Sequence, residues 1–503
     1  MKGRAQWGTR AGFILAAAGS AIGIGNLWRF PAVAYENGGG AFFVPYLFAL
    51  LTAGIPILIL EFTIGHKFRG SSPLSFTRIS KGSEWIGWWQ VAIAFVISTY
   101  YALIVAWAMS FMVFSFSGWG ADTSDFFLNE YLHLTDPGKI GDLVPGVFVP
   151  LIITWIIVLG VLMAGVKKGI ERANKILLPL LIGIFLIIVI RSVTLDGALM
   201  GLNEFFQPDW SQILNGNVWI AAYGQIFFSL SIGFAIMITY SSYLSRRSDL
   251  TNNAFIIGFG NSSFELLAGI GVFSALGFMA TQLEIPVDEV ADGGIMLAFV
   301  VFPEIINQFP GFNGIFGFLF FGSLMLAGLT SLISVVEAYV AAVQEKFGFS
   351  RKTTVLFAGG LSAVVSLIYA TQGGLNILDV VDYFINQFGV VLAALIEIVF
   401  IAWFAKQLKP LQSHADSISQ IKLGAWWRIC LLIITPIVLG YMMFDSIRQN
   451  LLGEYEEYPR SFIFNYGWSL IIVVLLIAVL ITLKKWNKKT TELPASEKEE
   501  EVS

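Results

Sequence analysis

The sequence predicts an all-α membrane protein of twelve transmembrane helices. Ten of these fall into two inverted five-helix repeats, spans 1–5 and 6–10, with the first helix of each repeat broken. Three observations carry that prediction. Of 503 residues, 56% are hydrophobic and only 13% charged, where a soluble chain carries about a quarter charged residues. The apolar residues lie in runs long enough for a bilayer core of about 30 Å, which takes roughly 20 residues of helix. Two of those runs are interrupted by glycine and polar residues at membrane depth, in matching positions of the two halves.

Taken in order, the runs are 11–36, 41–66, 86–117, 145–165, 170–191, 217–244, 253–280, 313–346, 353–370, 376–405, 426–448 and 462–484. The repeats therefore cover about 11–191 and 217–405, inside a single transmembrane domain over 1–486. Residues 288–308 are apolar but short and bounded by proline, which suits a re-entrant or capping helix. The tail 487–503 ends in SEKEEEVS and reads as disordered. A β-barrel would alternate apolar and polar residues over segments of about ten, a pattern foreign to these long runs. The run after Met1–Arg10 leads into glycines and an arginine, not a small-residue cleavage site, and is read as a retained helix.

Basic residues orient the helices. Lys139, Arg191, Arg448 and Arg460 lie at one face and Arg29 at membrane depth. The rest of the 30 lysines and arginines fall on the opposite face, including Lys67, Lys167, Lys168, Arg246, Arg247, Arg351 and Lys352. That face is expected to be cytoplasmic, with both termini on it. The net charge of −4 and the lack of a basic patch give no reason to expect nucleic acid as a partner. Cys430 is the only cysteine, which excludes disulfide scaffolds and cysteine metal sites.

The interruptions read GSAIGIGN at Gly19–Asn26 and FSLSIGF at Phe228–Phe234. Paired interrupted helices in matching halves point to a transporter's binding site, and unwound backbone is tolerated at that depth where it lines a cavity. Gly19 and Gly23 also fit a small-residue packing seam, but the adjacent Ser20, Asn26 and Arg29 favour the functional reading. Other polar groups at depth are Tyr100, Tyr101, Ser229, Ser231, Thr330, Ser331, Ser334, Asp379 and Asp382, with Asn261 and Glu265 spaced i, i+4 on one helix face. Singly, a serine or threonine most often bonds its own helix. Together they offer carboxamide, hydroxyl and freed carbonyl oxygens for a hard cation, and freed N–H groups for a carboxylate. No nitrogen or sulfur cluster suits a transition metal. The histidines, His66, His133 and His414, sit at span ends or joints with no acid–base cluster, so the chain does not read as an enzyme. A channel lacks support because no repeated filter is present.

GNLWRFPAVAYENGGGAFFVPY (Gly25–Tyr46) resembles the signature of the neurotransmitter:sodium symporter family. YY (Tyr100–Tyr101), KKGIERANKILLP (Lys167–Pro179), WIAAYGQIFFSLSIGF (Trp219–Phe234), AGLTS (Ala327–Ser331) and LDVVDYF (Leu378–Phe384) extend the resemblance, in order, over nearly the whole chain. Its bacterial amino-acid transporter branch is the nearest likeness. The resemblance implies sodium-coupled symport of a small or medium apolar L-amino acid by alternating access. A membrane amino-acid sensor of the same fold, without net transport, is the alternative. The implied setting is a bacterial inner (plasma) membrane. No organic cofactor and no obligate protein partner are expected beyond the lipid bilayer.

The resemblance also implies two sodium sites. The first would use the Ala21 carbonyl, Asn26, Ser229, Asn261 and the substrate carboxylate; the second would use the carbonyls of Gly19, Ile22 and Ala327 with the hydroxyls of Thr330 and Ser331. The substrate carboxylate would meet the N–H groups of Ile24 and Gly25 and the Tyr101 hydroxyl, and its amine the carbonyls of Ala21, Phe228 and Ser229. Ile97, Tyr101, Phe228, Ser231, Phe234, Ser331 and Val335 would enclose its side chain. Monoamine carriers of the family place an aspartate where Gly23 stands, so an amino acid is implied instead. Arg29 and Asp382 resemble the outer gate; Arg4, Trp7, Ser242, Tyr243 and Glu345 resemble the inner gate. Chloride-dependent members carry serine where Glu265 stands, beside Tyr46 and Gln225. The carboxylate would replace the anion, so no chloride is expected, and it would tend to take up a proton on the return step. Glu61, Glu337 and Glu397 also lie at depth, with no role assigned.

Overall fold

Interrupted spans and long apolar helices dominate the computed structural model, which describes residues 5–289, 293–452, 455 and 458–492. Among the described residues ten helices are long and apolar enough to cross a bilayer: Gly40–Phe68, Lys81–Phe114, Pro145–Met163, Val166–Val193, Leu250–Leu283, Asn313–Phe347, Arg351–Ala370, Gly374–Phe404, Gly424–Asn450 and Arg460–Thr482. These are the second to fifth and seventh to twelfth spans. The first span is the pair Arg10–Ala21 and Ile24–Glu36, bent by 53°. The sixth is the pair Gly216–Ser229 and Ile236–Ser241. Between the seventh and eighth lies the short helix Gly294–Asn307, in the segment expected to be re-entrant or capping.

Burial separates the helices into an inner set and a lipid-facing set. The most apolar stretch of the eighth span is 89% buried within the protein and that of the third 83%, whereas the twelfth reaches only 28%. The third and eighth pack against one another more extensively than any other helix pair. Exposed Ile472, Leu476, Val479 and Leu480 on the twelfth span, and Ile187 and Ile190 on the fifth, form apolar surface that suits lipid.

Both breaks have local causes. The first half-helix starts at Thr9, whose hydroxyl accepts the Gly12 N–H at 3.0 Å. It ends where Ile22 turns to φ −73°, ψ 86°, and a new helix begins after Gly23. The Asn26 side chain reaches back to accept the Gly23 N–H at 3.0 Å, so an orphan donor of the new helix is satisfied from within. In the sixth span Ser231, Gly233 and Ala235 adopt φ of 53°, 87° and 70°. Left-handed backbone at two residues with a Cβ cannot propagate as a helix, and the chain restarts at Ile236.

The structure modifies the expected tail. Lys488–Thr491 form a helical turn. The Arg78 guanidinium donates to the carbonyls of Thr490 at 2.6 Å and Glu492 at 3.1 Å, tying residues 490–492 to the end of the short helix Ser72–Ile79. The remainder of the tail, 493–503, lies outside the described residues.

Candidate functional site

A cavity of about 610 Å³ runs from the two breaks to the ends of the first and tenth spans. Ser20, Ala21, Gly23, Gly25, Asn26, Ile97, Tyr101, Phe228, Ser231, Phe234, Ser331 and Val335 line its inner part, and Arg29, Asp379, Asp382 and Tyr455 its mouth. Nine of the eleven residues expected around the substrate therefore face it; Ile24 and Ser229 lie just behind the lining.

Two serines clasp the first break from opposite sides. Ser231 donates to the Ser20 carbonyl at 2.9 Å, and Ser331 donates to the same carbonyl at 3.1 Å. The Tyr101 hydroxyl accepts the Ile24 N–H at 3.1 Å, so the donor expected to meet a carboxylate and the expected tyrosine already lie together. A Cβ at Gly25 would come within 2.0 Å of Phe228 Cε1, and one at Gly23 within 2.9 Å of the Tyr101 hydroxyl and 3.0 Å of Ser331 Oγ. An aspartate at Gly23 would thus press into the space beside Tyr101.

The carboxamides of Asn26 and Asn261 are joined, Asn26 Nδ2 donating to Asn261 Oδ1 at 2.8 Å. Asn261 Nδ2 in turn donates to Ser229 Oγ at 3.1 Å. Each carboxamide oxygen accepts one N–H here and keeps a second lone pair. The donor set of two amide oxygens and a hydroxyl, all buried, fits a hard monovalent cation. Glu265 lies next to it, accepting from Gln225 at 2.6 Å, from Asn261 at 3.5 Å and from the Tyr46 hydroxyl. The expected trio of Tyr46, Gln225 and Glu265 is therefore one hydrogen-bonded group.

Gly19, Ala327, Thr330 and Ser331, four of the five residues expected at the second cation site, lie together. Ser331 donates to the Gly19 carbonyl at 3.3 Å, and Thr330 to the Ala327 carbonyl at 2.9 Å. Gly19 sits against Thr330: a Cβ there would lie 3.3 Å from Thr330 Cβ. Oxygens of the first and eighth spans thus face each other across one seam. Among the described residues no cluster of histidine, cysteine or carboxylate suits a transition metal.

At the outer gate the side chains have partners other than each other. Arg29 and Asp382 do not form an ion pair. The Arg29 guanidinium stacks on the Phe228 ring, 4.5 Å from its centroid. Asp382 accepts from Asn386 Nδ2 at 2.8 Å. A planar, weakly hydrated guanidinium over an aromatic face is a stable alternative to a carboxylate across an open mouth. Asn386 was not singled out from the sequence, although its i, i+4 spacing from Asp382 was available.

At the opposite end Trp7 is fastened to the sixth span, its backbone N–H donating to the Tyr243 carbonyl at 3.1 Å and its indole to the Tyr240 carbonyl at 2.8 Å. Ser242 donates to the Thr239 carbonyl at 2.5 Å. Glu345 accepts from the Ser71 N–H at 2.9 Å and the Ser71 hydroxyl at 2.6 Å. Arg4 lies outside the described residues. Glu337, which had no assigned role, belongs to this end: Tyr243 donates to it at 2.8 Å and Arg351 grips it with two N–H groups at 2.9 and 2.5 Å.

A family model described as the sodium:neurotransmitter symporter family matches residues 4–123 and 119–489. An uncharacterised sodium-dependent transporter of Methanocaldococcus jannaschii is 40% identical over 96% of this chain and 99% of its own. The creatine transporter of Torpedo marmorata is 30% identical over 98% of this chain and 89% of its own. Among solved structures, that of MhsT in complex with L-phenylalanine aligns with a TM-score of 0.75 at 33% identity, covering 88% of this chain and all of that one.

Proposed function

The chain belongs to the sodium:neurotransmitter symporter family, and from that premise we propose that it carries a small or medium apolar L-amino acid across the membrane together with sodium, without chloride. It is a multi-pass membrane transporter, not an enzyme. The observation that carries the finer reading is the joining of both helix breaks, two carboxamides and a buried carboxylate around one end of a single cavity.

In this reading the substrate carboxylate displaces the bond between Ile24 N–H and Tyr101 and takes both groups as donors, at the start of a half-helix whose dipole favours an anion. A sodium ion held by Ala21, Asn26, Ser229 and Asn261 touches that carboxylate, so neither binds well alone. A second sodium, held by Gly19, Ile22, Ala327, Thr330 and Ser331, ties the first span to the eighth. Ile97, Phe228, Phe234 and Val335 surround an apolar side chain. One methylene in such a pocket is worth ~1–3 kcal/mol, so selectivity among aliphatic residues is broad. The solved relative holds L-phenylalanine, an apolar amino acid of the same class.

Glu265 carries the chloride reading. A fixed carboxylate one helical turn from Asn261 supplies the negative charge that a bound anion would otherwise bring, and it repels such an anion. The test is uptake into proteoliposomes with an imposed sodium gradient. Uptake of alanine, valine, leucine or methionine is expected with sodium gluconate and with sodium chloride alike, and none with choline. Glu265→Ser should make uptake chloride-dependent. A wild type that stalls in gluconate overturns the chloride reading. Binding without accumulation against a gradient identifies a sensor instead.

A further inference from the structure

Two buried carboxyls outside the sodium and substrate groups flank the sixth-span break. Glu61, on the second span, and Glu397, on the tenth, have no exposed surface. Glu61 Oε1 accepts the Gly233 N–H at 2.7 Å, while its Oε2 has no partner among the described residues. Glu397 Oε2 accepts from Gln90 Nε2, while its Oε1 likewise has no partner among the described residues. Gln90 is itself fixed, its own oxygen accepting from the Ser72 hydroxyl at 2.5 Å. The tenth span lies directly on the break: a Cβ at Gly233 would come within 3.1 Å of Ala394 Cβ and 3.3 Å of the Val390 carbonyl. Val390, Ala394 and Glu397 are spaced i, i+4, i+7, so they share one helix face.

Each orphaned oxygen would be satisfied by a hydroxyl donor, and no protein group supplies one. Glu397 is the one charged group acting on Glu61, and Gln90 is the side chain acting on Glu397; among the described residues no lysine, arginine or histidine offsets either carboxyl. Two neighbouring carboxylates at membrane depth with no compensating cation are strongly disfavoured. A proton on one of them removes a charge and creates the missing O–H donor.

We propose that Glu61 and Glu397 form a shared proton site that locks the sixth-span break between the second and tenth spans. The ligand is a single hydrogen ion, held by the pair and separate from the Glu265 group. Release of that proton sets two like charges together and loosens the Gly233 contact, whichever solute is carried.

Infrared spectroscopy of the purified, lipid-reconstituted protein tests this through the carbonyl stretch of a protonated carboxylic acid. Wild type is compared with Glu61→Gln, Glu397→Gln and the double variant in one buffer. Glu265 contributes equally to all four spectra and cancels. Either single substitution should remove one protonated-acid band, because the remaining carboxyl then ionises beside an amide N–H donor. The double variant should remove no more. Unchanged bands in both single variants mean that the pair is doubly ionised, and a second band lost in the double variant means that each acid holds its own proton. Either outcome overturns the proposal. Sodium-dependent thermal protection checks that each variant is folded, and Glu61→Gln carries the same prediction should Glu397→Gln fail that check.

Discussion

Adding one methyl group at Gly25 should damage substrate binding through the Phe228 ring. The added Cβ would lie 2.0 Å from Phe228 Cε1 and 3.0 Å from Cδ1 and Cζ. Carbon atoms in favourable contact are ~3.5–4.0 Å apart, so the ring must retreat by about 1.5 Å. It cannot retreat freely, because Arg29 lies on its face and the ring lines the cavity. Overpacking of this kind costs ~1–3 kcal/mol. Relieved by pushing the ring into the cavity, the same energy appears as a loss of affinity of about 5- to 150-fold. Gly25→Ala should therefore weaken sodium-dependent amino-acid binding in calorimetry by that factor while the helix itself is undisturbed. Gly224→Ala is the control: a Cβ there meets only Met442 Cε, at 3.8 Å, and should leave binding unchanged. Wild-type affinity in Gly25→Ala would show that the ring does not rest on Gly25 when substrate binds, and the reasoning fails.

Two further outcomes concern the end of the molecule opposite the cavity mouth. Arg351→Ala should lower the thermal midpoint by the equivalent of ~3–5 kcal/mol, because it strands the fully buried Glu337 carboxylate. Arg351→Lys should recover only part of that, since an ammonium cannot reproduce the two-pronged grip; equal stability of Arg351→Ala and wild type would refute the pairing. His414, on the short helix Leu408–Ile418, has its imidazole pushed down to about 4 from 6.5, first by burial and then by Lys67 and Arg69. The unfolded chain therefore binds more protons between those values, so stability should rise with pH across that window and be lost as pH falls from about 6.5 toward 4. His414→Gln should flatten that slope in thermal melts, and an unchanged slope would remove His414 as its source.

The spans and both breaks are legible in the sequence because each has a local signature: apolar length for a helix, and glycine with polar neighbours for a break. The Asn261–Glu265 face is legible for the same reason, since i, i+4 spacing is independent of tertiary context. What escapes is set by competition between distant partners. Arg29 and Asp382 read as a pair, yet each has a nearer partner, the Phe228 face and Asn386. Glu337 reads as an isolated acid because its partners come from the sixth and ninth spans. In FSLSIGF only Gly233 announces left-handed backbone; Ser231 and Ala235 adopt it because the surrounding spans hold them there. The turn at Lys488–Thr491 escaped because composition describes the chain alone and not the Arg78 donors that catch its carbonyls.

The hydrogen bonds also sort the helices into parts that hold together and parts that separate. Asn26, Asn261 and Ser229 link the first, seventh and sixth spans, and Trp7 links the first to the sixth again. The third and eighth spans touch that group through four clasps: Tyr101 to Ile24, Ser331 to Ser20, Tyr240 to Ser334 and Tyr243 to Glu337. The three neutral bonds contribute ~0.5–1.5 kcal/mol each net of water and the bond to the Glu337 carboxylate ~1.5–3, so opening the seam costs on the order of 3–7 kcal/mol. That is within reach of bound ions, which shift an equilibrium by their difference in affinity for its two forms. The cation proposed at Asn26 and Asn261 lies inside one body and travels with it. The cation proposed between Gly19 and Thr330 spans the seam, so it favours the closed seam and must leave before the seam opens. In that proposal sodium concentration sets the direction of movement even though only one of the two proposed ions touches the substrate.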